Sequence, residues 1–302
     1  MAVGQGERPD PEVERPPSSP GLDPLGRSSR ILGGPRQTGI RGVLIALAST
    51  VVFVGLVAVI VVNSSGWPAV RDAFFSGENF RSSLPEIAHA FLLNIKIFCI
   101  AEGFILVFAL LIAVLRSLPG PVFFPLRAVA ITYTDLFRGV PTILVIYILG
   151  FGAPGLQISG VPRSPLFWGV TALVLVYSAY VAEVYRAGIE SVHPSQEAAA
   201  RSLGLSRAQA LRFVIVPQAV RRVVPPLLND FIGLQKDSAL VALIGPVEAF
   251  RQSQIDTAAT FNFTPYLVTA LFFILLTIPL ARLTDLLIAR DRRRLLAGGG
   301  LT

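Results

Sequence analysis

The chain has 302 residues, enough for one large domain or two ordinary ones. Only 15% of the residues are charged and 53% are hydrophobic, whereas a soluble domain carries about 25% charged residues. So few charges could not cover the surface of a soluble fold, so we expect much of the chain to lie in lipid. One cysteine and two histidines exclude a disulfide framework and a cysteine–histidine zinc cluster.

Residues 1–40 contain seven prolines and no apolar periodicity. Such a segment cannot bury enough surface to offset its chain entropy, which predicts a disordered cytoplasmic tail. A signal peptide is the competing interpretation. It is disfavoured because the apolar run begins about forty residues in, is too long, and lacks a small-residue cleavage site.

The first apolar run lies within residues 41–63 and predicts a transmembrane helix. Its residues 43–62 carry no charge and would form about 30 Å of helix, enough to cross the hydrocarbon core. Residues 64–89 are then predicted to form an extracytoplasmic loop.

Five further apolar stretches follow, at about 90–115, 122–152, 165–187, 222–246 and 265–289. Ionisable residues interrupt or border them, and at such depth these groups usually face a bundle interior or an aqueous path. Lys96 is an exception, because it is near enough to the outer edge for its ammonium group to reach the interface. The sequence predicts an all-α membrane protein with five core helices and one extra N-terminal helix.

The distribution of basic residues predicts the orientation. With six spans and a cytoplasmic amino terminus, 19 of the 26 Lys and Arg residues fall in cytoplasmic segments and 4 fall outside. Both termini, including the basic tail of residues 290–302, are therefore predicted to be cytoplasmic. The net charge of +7 follows this topology and does not indicate a nucleic-acid surface.

The cytoplasmic segment 188–221 has the pattern of two short helices. The first follows Pro194 and ends at Gly204, a typical C-terminal cap. Ser206 opens the second helix, with Gln209 at capping-box spacing, and Pro217 is predicted to end it. Spacing alone also fits an ordinary interfacial hairpin with a Glu197–Arg201 pair.

These residues resemble the EAA loop of permeases from ATP-binding-cassette (ABC) importers, and specifically the polar amino acid permeases of the histidine, glutamine and glutamate systems. Four ordered segments carry the resemblance: 136–141 (LFRGVP), 178–189 (SAYVAEVYRAGI), 196–204 with 217–219 (QEAAARSLG and PQA), and 229–238 (NDFIGLQKDS). The sequence departs from the usual pattern at Val140, Ser195 and the pair Ser238–Ala239. These changes leave the architecture intact and put the substrate preference in doubt.

The resemblance implies a type I ABC permease domain over residues 90–289. It implies that this domain belongs to an importer that lies in the cytoplasmic membrane and carries polar amino acids. It implies three protein partners: an ABC ATPase dimer, an extracytoplasmic solute-binding protein and a second permease, identical or homologous. It also assigns ATPase coupling to Gln196, Glu197, Ala198, Ala199, Leu203, Gly204, Pro217 and Gln218.

The residues themselves indicate that ATP is bound elsewhere. A phosphate-binding loop needs a Gly-Lys pair, and the only two lysines, Lys96 and Lys236, follow Ile95 and Gln235. The chain is therefore predicted to bind no cofactor and to be no enzyme, with ATP and Mg held by the partner ATPase.

The fifth core span offers a candidate substrate path. Its polar residues fall at i, i+4, i+7 and i+8, so they share one helical face. This face carries one positive and one negative side chain, which suits a zwitterionic solute. The candidates are Asn229, Gly233, Lys236 and Asp237, with Glu183 on a neighbouring span. Two alternatives remain open: mutual neutralisation of Lys236 and Glu183 or Asp230, which would brace the bundle, and a dimer contact through the stripe.

Two other functional classes fit the residues less well. An intramembrane enzyme would need a nucleophile and base, or paired carboxylates, at one depth, and Ser178 and Ser238 lack an in-span histidine. An autonomous channel or an ion-coupled amino acid carrier would not need a polar helical hairpin beneath the membrane.

Overall fold

The computed structural model describes the backbone of residues 40–298 and the side chains of residue 40 and residues 42–290. These residues form helices joined by short connections, and no strand occurs among them. The predicted tail lies outside the described residues up to residue 39. At the other end the backbone of residues 290–298 continues the last helix, and residues 299–302 lie outside the described part.

The chain divides into two units, Met1–Trp67 and Pro68–Thr302. In the first unit, α1 (Ile40–Val62) occupies the position of the predicted N-terminal span. Its apolar side chains are exposed all around the helix from residue 43 onward. A helix that is apolar on every side and this long is typical of a membrane span.

The second unit contains the remaining helices. The first half comprises α2 (Trp67–Phe74, which begins at the unit boundary), α3 (Gly77–Ser117), α4 (Phe124–Gly139), α5 (Thr142–Tyr147), a π turn (Ile148–Gly152) and α6 (Ala153–Gly155). The second half comprises α7 (Pro165–Glu190), α8 (Pro194–Ser202), α9 (Arg207–Ala210), a π turn (Leu211–Ile215), α10 (Val216–Asp237), a 3₁₀ helix (Ser238–Ile244), α11 (Ala249–Thr260) and α12 (Thr264–Gly298).

The predicted loop of residues 64–89 is mostly helical, which corrects the sequence interpretation. It contains α2 and the first thirteen residues of α3. Ser76 starts α3, because its hydroxyl accepts a hydrogen bond from the Asn79 amide at 3.3 Å. The 41-residue α3 therefore extends well beyond the predicted second span of 90–115.

The predicted span of 122–152 is bent by 105° between α4 and α5. Pro141 explains the break, because the residue before a proline avoids the helical region and Val140 is extended, with φ −101° and ψ 130°. The two helices on either side form either a broken span or a re-entrant loop.

The predicted count of six spans is not confirmed. Among the described residues, four helices are long and apolar enough to cross a membrane, or five if the bent pair forms one span. The predicted fifth core span, 222–246, is divided between the polar end of α10 and the 3₁₀ helix. The orientation of the termini stays a prediction.

Pro217 does not end the helical segment that begins at Ser206, contrary to the sequence prediction. It lies in the first turn of α10, directly after the π turn, where the Val216 amide bonds back to the Leu211 carbonyl. A proline ring crowds the carbonyl four residues before it in an α-helix, and here that carbonyl belongs to the wider π turn. Pro225 and Pro226 lie inside α10, which stays continuous and packs against α7.

The core lies between α3 and α7, whose facing surfaces are rich in small residues. Ala101, Ile105 and Ala109 recur every four residues on α3, and each is completely buried. Ala172 and Ala179 are buried to the same degree on α7. Small side chains let helix backbones approach closely, which is how helices associate in lipid without a hydrophobic driving force.

Two glycines hold the 3₁₀ helix against this core. A Cβ atom on Gly169 would lie 2.6 Å from Val241, and one on Gly150 would lie 2.7 Å from Ile244. Both distances are shorter than any ordinary contact, so neither position has room for a side chain. Because Gly169 on α7 and Gly150 in the first π turn have no side chains, Ser238–Ile244 can enter the bundle.

We predict that Gly169→Ala destabilises the folded chain by about 1–3 kcal/mol, because the added methyl group overpacks Val241. Thermal unfolding of the purified protein in detergent would measure the loss. Gly103→Ala is the matched control, since a Cβ there meets nothing within 4 Å. Equal unfolding temperatures for the two variants would contradict the close packing.

Candidate coupling site

The second helix of the hairpin formed by α8 and α9 has the cap that its sequence predicts, and the first has one that was not predicted. His193 precedes α8, and its Nδ1 accepts a hydrogen bond from the Ser195 amide at 3.2 Å. Ser206 and Gln209 form the predicted capping box, with distances of 3.3 Å and 2.8 Å. Local sequence therefore fixes the start of both helices.

Gly204 makes the turn between the two helices. Its φ of +89° lies in the left-handed region, and a Cβ at this position would meet open space. Glycine is therefore required by the backbone conformation and not by packing. The Leu205 amide donates to the Ala200 carbonyl at 3.2 Å, which closes the end of α8.

The predicted coupling residues lie together on the outside of this hairpin. Leu203 is 84% exposed, although it is a large apolar residue at the tip. Ala198, Ala199 and Pro217 are exposed, while Ala200 is buried. A polar projection that presents apolar side chains in this way is typical of a surface that another protein covers.

The polar members of the set have weak contacts within the chain. Glu197 lies 3.7 Å from Arg207, with the arginine side chain 80% exposed, so the i, i+4 pair with Arg201 is replaced by a contact between the two helices. Gln218 donates to Gln196 at 3.3 Å. An exposed ion pair contributes little stability, so the Glu197 carboxylate remains available for a partner.

The helices that precede and follow the hairpin, α7 and α10, are packed against each other. Gly188 of α7 leaves no room for a side chain, because the Val223 side chain of α10 occupies that position. The Arg222 guanidinium of α10 donates to the Ser191 carbonyl at the end of α7. The hairpin therefore connects two helices that contact each other.

An ion-pair cluster surrounds Glu183 on α7. Its carboxylate lies 2.8 Å from Arg116 of α3 and 3.8 Å from Arg138 of α4, and it also contacts Arg186. Arg138 and Glu183 belong to two of the four segments that resemble the polar amino acid permeases, 136–141 and 178–189. The cluster joins these two segments. Glu183 therefore braces three helices and does not neutralise Lys236.

The other predicted substrate-path residues do not converge on one point. The Tyr177 hydroxyl donates to Asp237 at 2.9 Å and lies 3.2 Å from the Cβ position of Gly233, so both face α7. Lys236 instead lines a cavity of about 520 Å³ with residues of α11 and α12. Asn229 is exposed.

Sequence reasoning missed a buried polar network centred on Asn94 and Glu248. The Asn94 amide nitrogen donates to the Glu248 carboxylate at 2.7 Å and to the Ser238 hydroxyl at 3.2 Å. Its oxygen accepts from the Ala249 amide at 3.1 Å. Glu248 is completely buried and also caps α11 by accepting from the Phe250 and Arg251 amides.

This network ties α3, the 3₁₀ helix and α11 together. Each residue gives a local signal, but neither signal indicates its partner. Asn94 is an amide in a predominantly apolar run, and Glu248 stands directly before a helical segment, at a position that favours a side-chain acceptor.

Comparison with known proteins identifies the chain. Residues 106–293 match the family described as the binding-protein-dependent transport system inner membrane component. The chain belongs to this family. It is 34% identical over 207 residues to the probable glutamine ABC transporter permease protein GlnM of Bacillus subtilis, a match that covers 68% of the chain and 90% of that relative. The arginine transport system permease protein ArtQ of the same organism is 30% identical over 196 residues.

Solved structures agree with this family. The structure described as an amino acid ABC transporter with histidines is 33% identical, with a TM-score of 0.62, and the match covers 68% of this chain and 94% of that one. The MetNI methionine transporter is only 16% identical, with a TM-score of 0.55, and shows the fold alone. The chain is therefore a multi-pass, all-α permease of the amino acid ABC importer family, with the type I fold.

We predict that Gly204→Val abolishes uptake by the assembled transporter and leaves membrane insertion intact, because valine is strained at a φ of +89°. Radiolabelled uptake and membrane fractionation would measure the two effects. Gly120→Val is the matched control, since Gly120 has a φ of +88°, meets open space and lies in a different connection. Unchanged uptake in the Gly204 variant would count heavily against the coupling assignment.

We also predict that Asn94→Leu lowers the unfolding free energy by about 3 kcal/mol, because it leaves the buried Glu248 carboxylate and the Ala249 amide without a partner. Chemical denaturation in detergent would measure the loss. Asn63→Leu removes only an exposed bond to the Val59 carbonyl and is the control. A loss no larger than that of the control would show that the network is not stabilising.

Proposed function

We propose that this chain is the membrane permease subunit of an importer for polar amino acids in the cytoplasmic membrane. It works with a second permease, an ABC ATPase dimer and an extracytoplasmic solute-binding protein. ATP and Mg bind to the ATPase, and this chain binds no cofactor of its own. The α8–α9 hairpin carries the proposal, because its apolar tip is exposed and the two helices that flank it, α7 and α10, contact each other.

The hairpin is suited to transmit force between proteins. Its tip exposes Leu203, and the Glu197 carboxylate is bound only by a long contact to Arg207. Glu197 would pair with a basic residue of the ATPase while the apolar tip enters a groove of that partner. Closure of the ATPase dimer on ATP would then draw the two hairpins of a permease pair together.

The contacts of the helices that flank the hairpin support alternating access. Gly188 of α7 packs against Val223 of α10, so a displacement of the hairpin would move both helices. The Glu183 cluster links α7 to α3 and α4, and these helices would move as one group. Rocking of this group opens the permease pair on one side and closes it on the other, and ATP hydrolysis resets it.

The substrate assignment rests on the relatives and on the polar residues of α10. GlnM and ArtQ carry glutamine and arginine in their names, and both are permeases of amino acid systems. In this chain the Tyr177 hydroxyl donates to Asp237, whereas Lys236 lines the cavity beside α11 and α12. A solute in that cavity would meet the Lys236 ammonium group, which suits the carboxylate of an amino acid.

Reconstitution in proteoliposomes tests the transport mechanism. With the binding protein, the ATPase and ATP present, we expect uptake of a labelled amino acid, and we expect none when the ATPase is left out. The autonomous channel or ion-coupled carrier is the alternative. Solute flux through the permease alone, indifferent to the ATPase, would establish that alternative and exclude ours.

A second measurement tests the substrate class. We expect the cognate extracytoplasmic binding protein to bind one or a few of the twenty amino acids in a calorimetric screen. Binding only to sugars or metal chelates would show that the substrate class is wrong, even where ATP-dependent uptake is retained.

A further inference from the structure

An elongated cavity of about 770 Å³ lies along α3, between this helix and α4 and α7. The α3 side of it is a stripe of residues that recur every four positions: Lys96, Ile100, Phe104, Phe108 and Ile112. At 1.5 Å per residue the stripe is about 24 Å long. We call this cavity the α3 groove.

The wall of the α3 groove is almost entirely hydrocarbon. Ile100, Phe104 and Phe108 are about half exposed and form its open side. The Tyr133 hydroxyl donates to the Leu175 carbonyl at 2.6 Å, and the Thr171 hydroxyl donates to the Phe167 carbonyl at 2.8 Å. The buried Ser178 hydroxyl also lines the cavity and makes no hydrogen bond with the part of the chain that the structure describes. With this one exception the named polar groups are bonded within the chain, so the wall has little to offer a polar solute.

One end of the groove carries a positive charge. Lys96 lines the cavity there, together with Ser164, which caps the first turn of the spanning helix α7. The start of a spanning helix marks the edge of the hydrocarbon layer, so the Lys96 ammonium group lies at headgroup depth. Lys96 is exposed and makes no ion pair with any side chain that the structure describes.

We propose that the α3 groove binds one anionic phospholipid, with an acyl chain along the stripe and the phosphate at Lys96. The apolar wall accounts for the chain, and the lysine accounts for the headgroup. A zwitterionic lipid would cover the same wall but would bring no net charge to Lys96. The groove is therefore expected to discriminate by headgroup charge, which an ordinary lipid-facing surface does not.

The test compares two tryptophan reporters on α3, Phe104→Trp and Leu110→Trp, in a background with Trp67 and Trp168 replaced by phenylalanine. Phe104 lines the groove and Leu110 does not, yet both are 54% exposed. The protein is reconstituted in phosphatidylcholine vesicles that contain phosphatidylglycerol. Brominated acyl chains are placed on one lipid or the other, and quenching gives the relative affinity at each reporter.

We expect phosphatidylglycerol to be preferred about five-fold at residue 104, the size expected for the attraction of one lysine to an anionic headgroup. At residue 110 we expect no preference. Lys96→Gln should remove the preference at residue 104 and leave residue 110 unchanged, which also shows that the variant is folded.

Three results would overturn the proposal. Equal preference at both reporters would mean ordinary contact with bulk lipid. A preference at residue 104 that survives Lys96→Gln would place the headgroup elsewhere. Protection of residue 104 from both brominated lipids would mean that a protein surface, such as a second copy of the chain, covers the groove.

Discussion

A polar group inside a hydrocarbon layer has no water to bond, so it must find its partner within the chain. This constraint accounts for the buried Asn94–Glu248 network, and the partly exposed Glu183 cluster adds a second long-range link. Glu183 gathers arginines from three helices, and the Asn94 amide bonds Glu248 across 154 residues of sequence. In each cluster the polar side chains satisfy one another's hydrogen-bonding groups, and the helices that contribute these side chains are fixed together.

Prediction from the sequence is most accurate where the stabilising interactions join residues that are close in the chain. Pro194, Gly204 and Ser206 determine the ends of α8 and α9 through backbone preferences and side-chain caps, so the hairpin follows from its own residues. The four segments that resemble the polar amino acid permeases add the proposed coupling function of that hairpin. The predicted end of the second helix at Pro217 is wrong because the π turn of residues 211–215 lies outside the standard repeat.

The candidate substrate path is less predictable, because it depends on which neighbour each side chain meets. Periodicity correctly places Gly233 and Asp237 on one face of α10, opposite Tyr177. It cannot show that Lys236, one residue away, faces α12 or that Glu183 is already held by arginines. The Asn94–Glu248 network is missed for the same reason, since two distant residues give no local pattern.

The π turn between α9 and α10 fixes the direction in which the hairpin points. One such turn contains one residue more than an α-helical turn, and each residue turns the backbone by about 100° about the axis. Loss of a single residue from 211–215 would leave a regular helix. The hairpin before it would then be rotated by about 100° relative to α10. The number of residues between Gly204 and Pro217 therefore determines the orientation of the hairpin about the axis of α10. A related protein with a deletion there would have its hairpin in a different orientation.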